Sequence, residues 1–403
     1  MIGDRVSDLV LFLAGVAAVW VAVILTYRRL SLARRGFTLS PGVLMWRTER
    51  GLGLIDRLSR RFRKWWIAYG TAAVLLGTAL MFLVFGGILY NAILFIQQPA
   101  KAAPGVRFIL PGTAPGLTVV VWLIVVGVVL MIHEFFHGFL LRSQDLRTKS
   151  VGLLLFLFIP GAFVEPDERE LKRSRPGRRA RVFAAGPVAN VLISMVFLTV
   201  LLAAVSPRPG VYVWAVAENS PLAGENILGA RILYLDNVPV GSIDDVGVFK
   251  DNLRSGGRRE FELVTDRGRF RAEMVTAENG DNLLPFVAAQ ALPRTEHLYP
   301  LNVVLLAYGT ILGSPVFHPY LYSYSVPPFF VNLFKWLFAL NFGIGMFNLL
   351  PAKPLDGGYV LEALLETRVS RRKAARISHA LSLAVLVLIV INLLPEIFGR
   401  VVA

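Results

Sequence analysis

The run GVVLMIHEFFHGFLL, from Gly127 to Leu141, decides the fold and the chemistry that we predict for this chain. It contains His133, Glu134 and His137 in the order H-E-x-x-H. If the run is helical, the two histidines lie one turn apart on the same face, where both imidazoles can reach one metal ion. The Glu134 carboxylate can then reach a water held at that ion. The pattern predicts a Lewis acid and a general base within one helical turn.

The surroundings of this motif are apolar on every face. From Leu117 to Leu141 the two histidines and Glu134 are the only ionisable residues. A carboxylate in the middle of a bilayer costs ~2.5–3.5 kcal/mol on insertion scales, which makes it a functional candidate. The alternative is a polar contact between membrane helices that happens to spell the motif. The cost of burying both residue types in lipid argues against that alternative.

The composition is that of an integral membrane protein. The chain has 403 residues, of which 55% are hydrophobic and only 17% charged, whereas soluble domains carry about 25% charged residues. There is no cysteine, so any metal must be held by histidine and carboxylate ligands. The formal charge of +15 fits either nucleic-acid binding or the basic cytoplasmic loops of a membrane protein.

The hydropathy pattern predicts a polytopic α-helical membrane protein with about six transmembrane helices. A further apolar run, Val151–Val164, is too short to cross as a helix, and Pro160-Gly161 marks a turn within it. We expect it to form a membrane-dipping hairpin. The six predicted spans are Leu9–Tyr27, Trp65–Ile96, Leu117–Leu141, Val182–Val205, Phe329–Leu350 and Ala380–Ile397.

The distribution of positive charge predicts the orientation. Basic runs follow the first, third and fifth spans, at Arg28–Lys64, Arg142–Arg181 and Arg368–Arg376. Under the positive-inside rule these loops lie in the cytoplasm, and the N-terminus and C-terminus lie outside. This assignment explains the basic excess without a nucleic-acid partner.

Four regions follow from these patterns. Residues 1–116 form a two-span extension with a basic cytoplasmic loop, and residues 117–205 carry the H-E-x-x-H motif. Residues 206–293 are polar with short alternating runs, which predicts a small soluble α+β domain outside the membrane, between spans four and five. Residues 294–403 hold a surface connector and the last two spans.

A catalytic zinc site needs three protein ligands, and Asp356 is the best third candidate. It lies in NLLPAKPLDGG, from Asn348 to Gly358, where two prolines end a regular helix and two glycines allow a close turn. We therefore expect Asp356 on non-helical backbone, at the same membrane depth as His137. The alternative is an aspartate in a surface turn.

These motifs together resemble the site-2 protease family of intramembrane zinc metalloproteases. The similarity rests on His133 to His137, on Gly186-Pro187-x-x-Asn190, and on Asn348-x-x-Pro351-x-x-Pro354-Leu355-Asp356-Gly357. The resemblance implies a Zn²⁺ site, with its ligands, base and substrate-positioning residues in these motifs. The implied ligands are His133, His137 and Asp356, the implied base is Glu134, and the implied substrate-positioning residues are Asn190 and Asn348.

The resemblance also implies that the domain at residues 206–293 is PDZ-like. The run Ser220–Gly224 followed by Gly229–Leu233 is similar to a turn and strand of that fold. Such domains take extended peptides by strand addition, and a structural spacer is the alternative. The two-span extension lies outside the shared core.

The resemblance implies a zinc endopeptidase that cuts transmembrane segments of membrane-protein substrates, in regulated intramembrane proteolysis. We expect it in the cell membrane of a prokaryote, with the active site toward the cytoplasm and the lipid bilayer around it. Two alternatives are a non-proteolytic zinc-binding membrane scaffold and a metal transporter. Glu134 discriminates between them, because only hydrolysis needs a base at that spacing. The sequence leaves the substrate and the oligomeric state open.

Overall fold

The computed structural model describes residues 2–49, 52–98, 104–157, 159–218, 220–255, 260–276, 282–314 and 316–402, without the side chains of residues 2–14, 16, 159, 282 and 396–402. Within these ranges the α-helices are α1 (Ile2–Arg29), α2 (Leu52–Arg61), α3 (Arg63–Gln97), α4 (Val119–Ser143), α5 (Glu168–Arg173), α6 (Pro176–Ala204), α7 (Ile243–Ser255), α8 (Pro300–Leu312), α9 (Pro328–Asn348), α10 (Asp356–Leu365) and α11 (Arg371–Val402).

The strands form four antiparallel sheets. The first has the order β1-β2-β3-β4, with β1 (Phe37–Ser40), β2 (Val43–Thr48), β3 (Thr148–Phe156) and β4 (Ile159–Pro166). The largest has the order β10-β9-β7-β6-β13, with β8 paired to β7: β6 (Val211–Val216), β7 (Arg231–Leu235), β8 (Val238–Pro239), β9 (Glu260–Thr265), β10 (Gly268–Glu273) and β13 (Phe286–Gln290). Two small pairs are β5 (Val205–Pro207) with β14 (Tyr322–Tyr324), and β11 (Val275–Thr276) with β12 (Asn282–Leu283).

Five helices of the described chain are long and apolar enough to cross a membrane: α3, α4, α6, α9 and α11 as far as Pro395. Each overlaps one of the predicted spans from the second to the sixth. The first predicted span, Leu9–Tyr27, lies within α1, but several of its side chains lie outside the described residues. The architecture is that of a polytopic membrane protein, and a total of six spans stays a prediction.

The chain divides into two compact units. The first comprises the residues up to Phe197, Ile311–Gly313 and the residues from Trp336 onward, and the second comprises Leu198–Thr310 and Ser314–Lys335. The first unit contains the H-E-x-x-H motif and Asp356. The second contains the largest sheet.

The run predicted to dip into the membrane is a β-hairpin, in which β3 pairs with β4. Strand β3 ends at Phe156, the next residue Leu157 has a φ of 54°, and β4 begins at Ile159, so Pro160 and Gly161 lie within β4 and the prediction of a turn there was wrong. Pro160 lies opposite Leu155 inside β4. An edge strand tolerates proline where the missing N–H would point away from the ladder, and β4 is such an edge strand.

The N-terminal extension builds onto this hairpin, which the sequence did not reveal. Strand β2 pairs with β3, for example Trp46 opposite Leu153, so the basic run after the first span is structured rather than a plain loop. The Trp20 side chain donates a hydrogen bond to the Leu157 carbonyl at 2.8 Å. One edge of the hairpin is therefore occupied by the extension, and β4 forms the other edge of the sheet.

Helices α2 and α3 hold the extension against α4. Asp56 on α2 forms an ion pair with Arg142 in the last turn of α4, and this contact holds the pKa of Asp56 below its ordinary value. Trp66 on α3 stacks on Phe139 with ring centroids 4.4 Å apart. These contacts fix α4 at the end that carries His137.

The second unit has its own core beneath the largest sheet. Residues of β9 alternate between buried and less buried positions, as expected for a strand with one face covered. Helix α7 covers that face with Val246, Phe249 and Leu253, which are all buried. Phe249 packs against Phe261 with ring centroids 5.5 Å apart. Within this unit the largest sheet therefore has helix α7 packed on one face.

Candidate active site

Helix α4 carries three of the predicted site residues. It begins where the Thr118 side chain accepts a hydrogen bond from the Val121 N–H at 3.3 Å, an N-cap that satisfies a free donor. His133 and His137 are 8% and 9% exposed, while Met131 and Phe135 on other faces are exposed. The helix therefore turns its histidine face toward the interior of the first unit and leaves apolar side chains for lipid.

Asp356 reaches the same place from the start of α10. Helix α9 ends at Asn348, as the prolines at 351 and 354 require. The expectation of non-helical backbone at Asp356 was wrong, because Asp356 is the first residue of α10. Helix α10 contains no proline, so the chain can return to a helix there. A Cβ on Gly358 would lie 2.5 Å from the Lys353 backbone nitrogen, so this turn needs glycine.

The three predicted ligands converge on one point. The Asp356 Oδ2 atom lies 3.0 Å from His133 Nε2 and 3.4 Å from His137 Nε2, and the two Nε2 atoms are 3.0 Å apart. Tetrahedral zinc with ligands at about 2.0–2.1 Å requires ligand atoms about 3.3–3.4 Å from one another. The three distances between the ligand atoms are each within a few tenths of an ångström of that separation. Two nitrogens and one carboxylate oxygen also form a donor set that zinc prefers.

No other group of three metal-binding side chains occurs in the part of the chain that the structure describes. The remaining histidines have different partners. His297 contacts the Tyr322 hydroxyl at 3.1 Å, His318 packs against Tyr320, and His379 contacts the Ala375 carbonyl on its own helix.

Helix α6 supplies the outer contacts of both histidines. The His137 Nδ1 atom lies 2.7 Å from the Val182 carbonyl oxygen, so Nδ1 carries the proton and Nε2 is free to bind a metal. The Asn190 amide nitrogen, as placed, lies 3.3 Å from His133 Nδ1, and Asn190 is fully buried. A Cβ on Gly186 would lie 2.5 Å from His137 Nε2. Only glycine at this position lets α6 come so close to α4.

Glu134 is oriented by the hairpin. Its Oε2 atom accepts a hydrogen bond from the Val164 N–H in β4 at 2.9 Å. Val164 lies opposite Val151 in the ladder, yet its N–H points away from β3, toward α4. Glu134 therefore lies along the free edge of β4, the edge with which no strand of the described residues pairs.

The hydrogen bond described for Asn348 does not connect it to the cluster of candidate metal ligands. Its amide donates to the Ile344 carbonyl on its own helix at 3.1 Å. Sequence reasoning also missed Val182 and Val164, which act through backbone atoms and carry no side-chain signal. It missed the ion pair between Lys353 and Glu362 as well. This pair ties the loop before Asp356 to α10. In the sequence it is visible only as a lysine and a glutamate nine residues apart.

Comparison with known proteins matches this part of the chain. The model of peptidase family M50 matches residues 121–392, a range that includes all six candidate site residues. A relative in Methanocaldococcus jannaschii, the uncharacterized protein MJ0971, is 25% identical over 330 residues. The aligned region covers 81% of this chain and 78% of that protein. The family match begins after α3, so the extension that pairs with the hairpin lies outside it.

Proposed function

The chain belongs to peptidase family M50, the site-2 protease family, and from that premise we propose that it is an intramembrane zinc metalloendopeptidase. Its substrates in this proposal are the transmembrane segments of other membrane proteins. The observation that carries the proposal is the cluster of His133, His137 and Asp356 with Glu134 beside it. The motif lies on α4, a helix long and apolar enough to cross a membrane.

In this proposal His133, His137 and Asp356 hold Zn²⁺. Zinc, when bound, supplies a Lewis acid that polarises a carbonyl and makes water more acidic. Glu134 accepts the proton of the attacking water on its carboxylate and then gives it to the leaving amine. The Val164 N–H steadies Glu134 for both transfers at 2.9 Å.

We propose that the substrate pairs with β4. A peptide bond in a helix is shielded by its own hydrogen bonds, so the segment must unwind before it is cut. The free edge of β4 offers replacement bonds by strand addition. The N–H groups of an antiparallel strand alternate in direction, so the Ala162 N–H points the same way as that of Val164. The other edge of the hairpin is occupied by β2, which favours β4.

The orientation is part of the proposal. With the basic runs inside, the site lies about 6–14 Å within the membrane from the cytoplasmic boundary at Arg142, from the ~1.5 Å rise of a helix. The sheet of the second unit then lies outside, in the proposed PDZ-like domain. Its edge strands β10 and β13 are the elements that could take a peptide. Asn190 and Asn348 are proposed to help position the substrate or the site.

Metal removal tests the proposal. The full-length protein in detergent micelles is mixed with a model membrane-spanning peptide, first as purified, then after chelation, and then with zinc restored. We expect cleavage that stops on chelation and returns with zinc. Cleavage that persists without metal contradicts the mechanism. Zinc binding without cleavage of any such peptide favours the scaffold, and zinc uptake into vesicles favours the transporter.

A further inference from the structure

Asn190 contacts the proposed zinc ligand His133 on the side of the ring that faces away from Asp356. The amide atom placed 3.3 Å from Nδ1 of His133, the ring nitrogen that faces away from Asp356, is the nitrogen Nδ2, and the buried Oδ1 atom has no hydrogen-bond partner among the described residues. The Nε2 atom of the same ring lies 3.0 Å from Asp356 Oδ2. Asn190 is 0% exposed. The contact therefore joins Asn190 to the back of His133.

The two orientations of this amide have different chemical consequences. An amide nitrogen facing Nδ1 would donate a hydrogen bond to it, and the ring proton would then sit on Nε2 and block metal binding. An amide oxygen facing Nδ1 accepts a hydrogen bond from the Nδ1–H group, which leaves Nε2 with a free lone pair. Oxygen and nitrogen of an amide have nearly the same shape, so the hydrogen-bond network decides the assignment.

The neighbouring histidine shows which orientation fits the cluster. His137 Nδ1 faces a carbonyl oxygen, that of Val182, at 2.7 Å, which leaves its Nε2 free. His133 and His137 point their Nε2 atoms at each other across 3.0 Å and both face Asp356. A shared metal needs both of these atoms without a proton. The amide atom that satisfies His133 in the same way is the Asn190 oxygen.

From this we propose that Asn190 is a positioning residue for His133: the Asn190 amide oxygen accepts a hydrogen bond from the His133 Nδ1–H group and fixes the ring in its metal-binding tautomer. This inference rests on the proposed zinc site. It differs from a direct role in holding the substrate, because Asn190 then acts through His133. Helix α6 would supply both outer acceptors, Val182 by its backbone and Asn190 by its side chain. Such outer partners typically account for 10–100-fold in metal affinity.

The test measures zinc affinity separately from cleavage, in the full-length protein in detergent. Asn190→Ala removes the acceptor, whereas Asn190→Asp keeps an oxygen that can accept a hydrogen bond from the Nδ1–H group but removes the amide donor. Ser194→Ala is the matched control, because Ser194 is also buried on α6 and bonds only to the Val191 carbonyl in the described contacts. Zinc dissociation constants come from competition with a chelating dye. Thermal unfolding of each zinc-free variant shows whether it is folded.

We expect Asn190→Ala to weaken zinc binding about 10–100-fold, and Asn190→Asp and Ser194→Ala to bind zinc nearly as the unmodified protein does. Cleavage at saturating zinc should survive in Asn190→Asp. Unchanged zinc affinity in Asn190→Ala, with cleavage lost in both Asn190 variants, would overturn the inference and assign the amide to substrate binding. If Asn190→Ala does not fold, weak zinc binding by Asn190→Asp overturns it instead. If the variants show the expected zinc affinities but the unmodified protein cuts no peptide, the proposed protease activity is contradicted. The proposed role of Asn190 would then still stand.

Discussion

Replacing Gly186 by alanine tests whether the close approach of α6 to α4 builds the site. A Cβ at this position would lie 2.5 Å from His137 Nε2 and 2.9 Å from the His133 carbonyl oxygen, whereas ordinary contact begins at 3.4 Å. The backbone carbonyl cannot rotate away, and the His137 ring is held at Nδ1 by Val182. Helix α6 must therefore retreat by roughly 0.5–0.9 Å, since packed interiors have few voids to absorb the change.

This displacement sets the expected magnitude. Overpacking of this kind costs about 1–3 kcal/mol, and a misplacement of about 1 Å at a catalytic site can cost 10²-fold in rate. Because the atom that clashes is the nitrogen of His137 proposed to bind the metal, zinc affinity should fall about tenfold, which corresponds to about 1.4 kcal/mol. We expect cleavage to fall by about 100-fold.

The assay compares Gly186→Ala with Gly177→Ala, a glycine on the same helix whose added Cβ would meet nothing within 4 Å. Both variants are measured for zinc affinity and for cleavage of a membrane-spanning peptide at saturating zinc. The control should behave as the unmodified protein. If Gly186→Ala also keeps its zinc affinity and its cleavage rate, the close contact between α6 and His137 does not build the site and the reasoning fails.

Three further changes test separate parts of the account. Asp356→Ala should lower zinc occupancy as well as cleavage, because two histidines hold zinc poorly; unchanged occupancy would exclude Asp356 as a ligand. Ala162→Pro removes an N–H from the free edge of β4 and should lower kcat/KM about two- to tenfold, the value of one hydrogen bond, with zinc content unchanged. Ala162→Val keeps the N–H and is its control, and equal rates in the two variants would argue against strand pairing. A membrane-impermeant probe on intact cells should label a cysteine at exposed Asn252 but not at exposed Gly53, and the opposite result would invert the topology.

The cluster of candidate metal ligands could be predicted from the sequence because it depends on side chains at fixed spacings. His133 and His137 are one helical turn apart, so any helix brings them together. Asp356 could be named as the third ligand because the chain has no cysteine and this aspartate lies at the end of an apolar run. The structure brings all three within reach of one ion.

The remaining features depend on contacts between distant parts of the chain. The bonds from Val182 and Val164 use backbone atoms, which every residue has, so no residue type marks them. The pairing of β2 with β3 joins residues more than 100 positions apart, such as Trp46 and Leu153. Pro160 was misread as a turn because its place on an edge strand becomes visible only when the sheet order is known.

The central claim is that Glu134 is the base of a metal-dependent peptidase. Glu134→Gln keeps the size of the side chain but cannot accept the proton of water. The most direct measurement is zinc content and cleavage of a membrane-spanning peptide for this variant and the unmodified protein, side by side in detergent. The account predicts full zinc content and cleavage reduced by several orders of magnitude, on the order of 10²–10⁴-fold for loss of a general base. Cleavage at the unmodified rate, with zinc still bound, would contradict it.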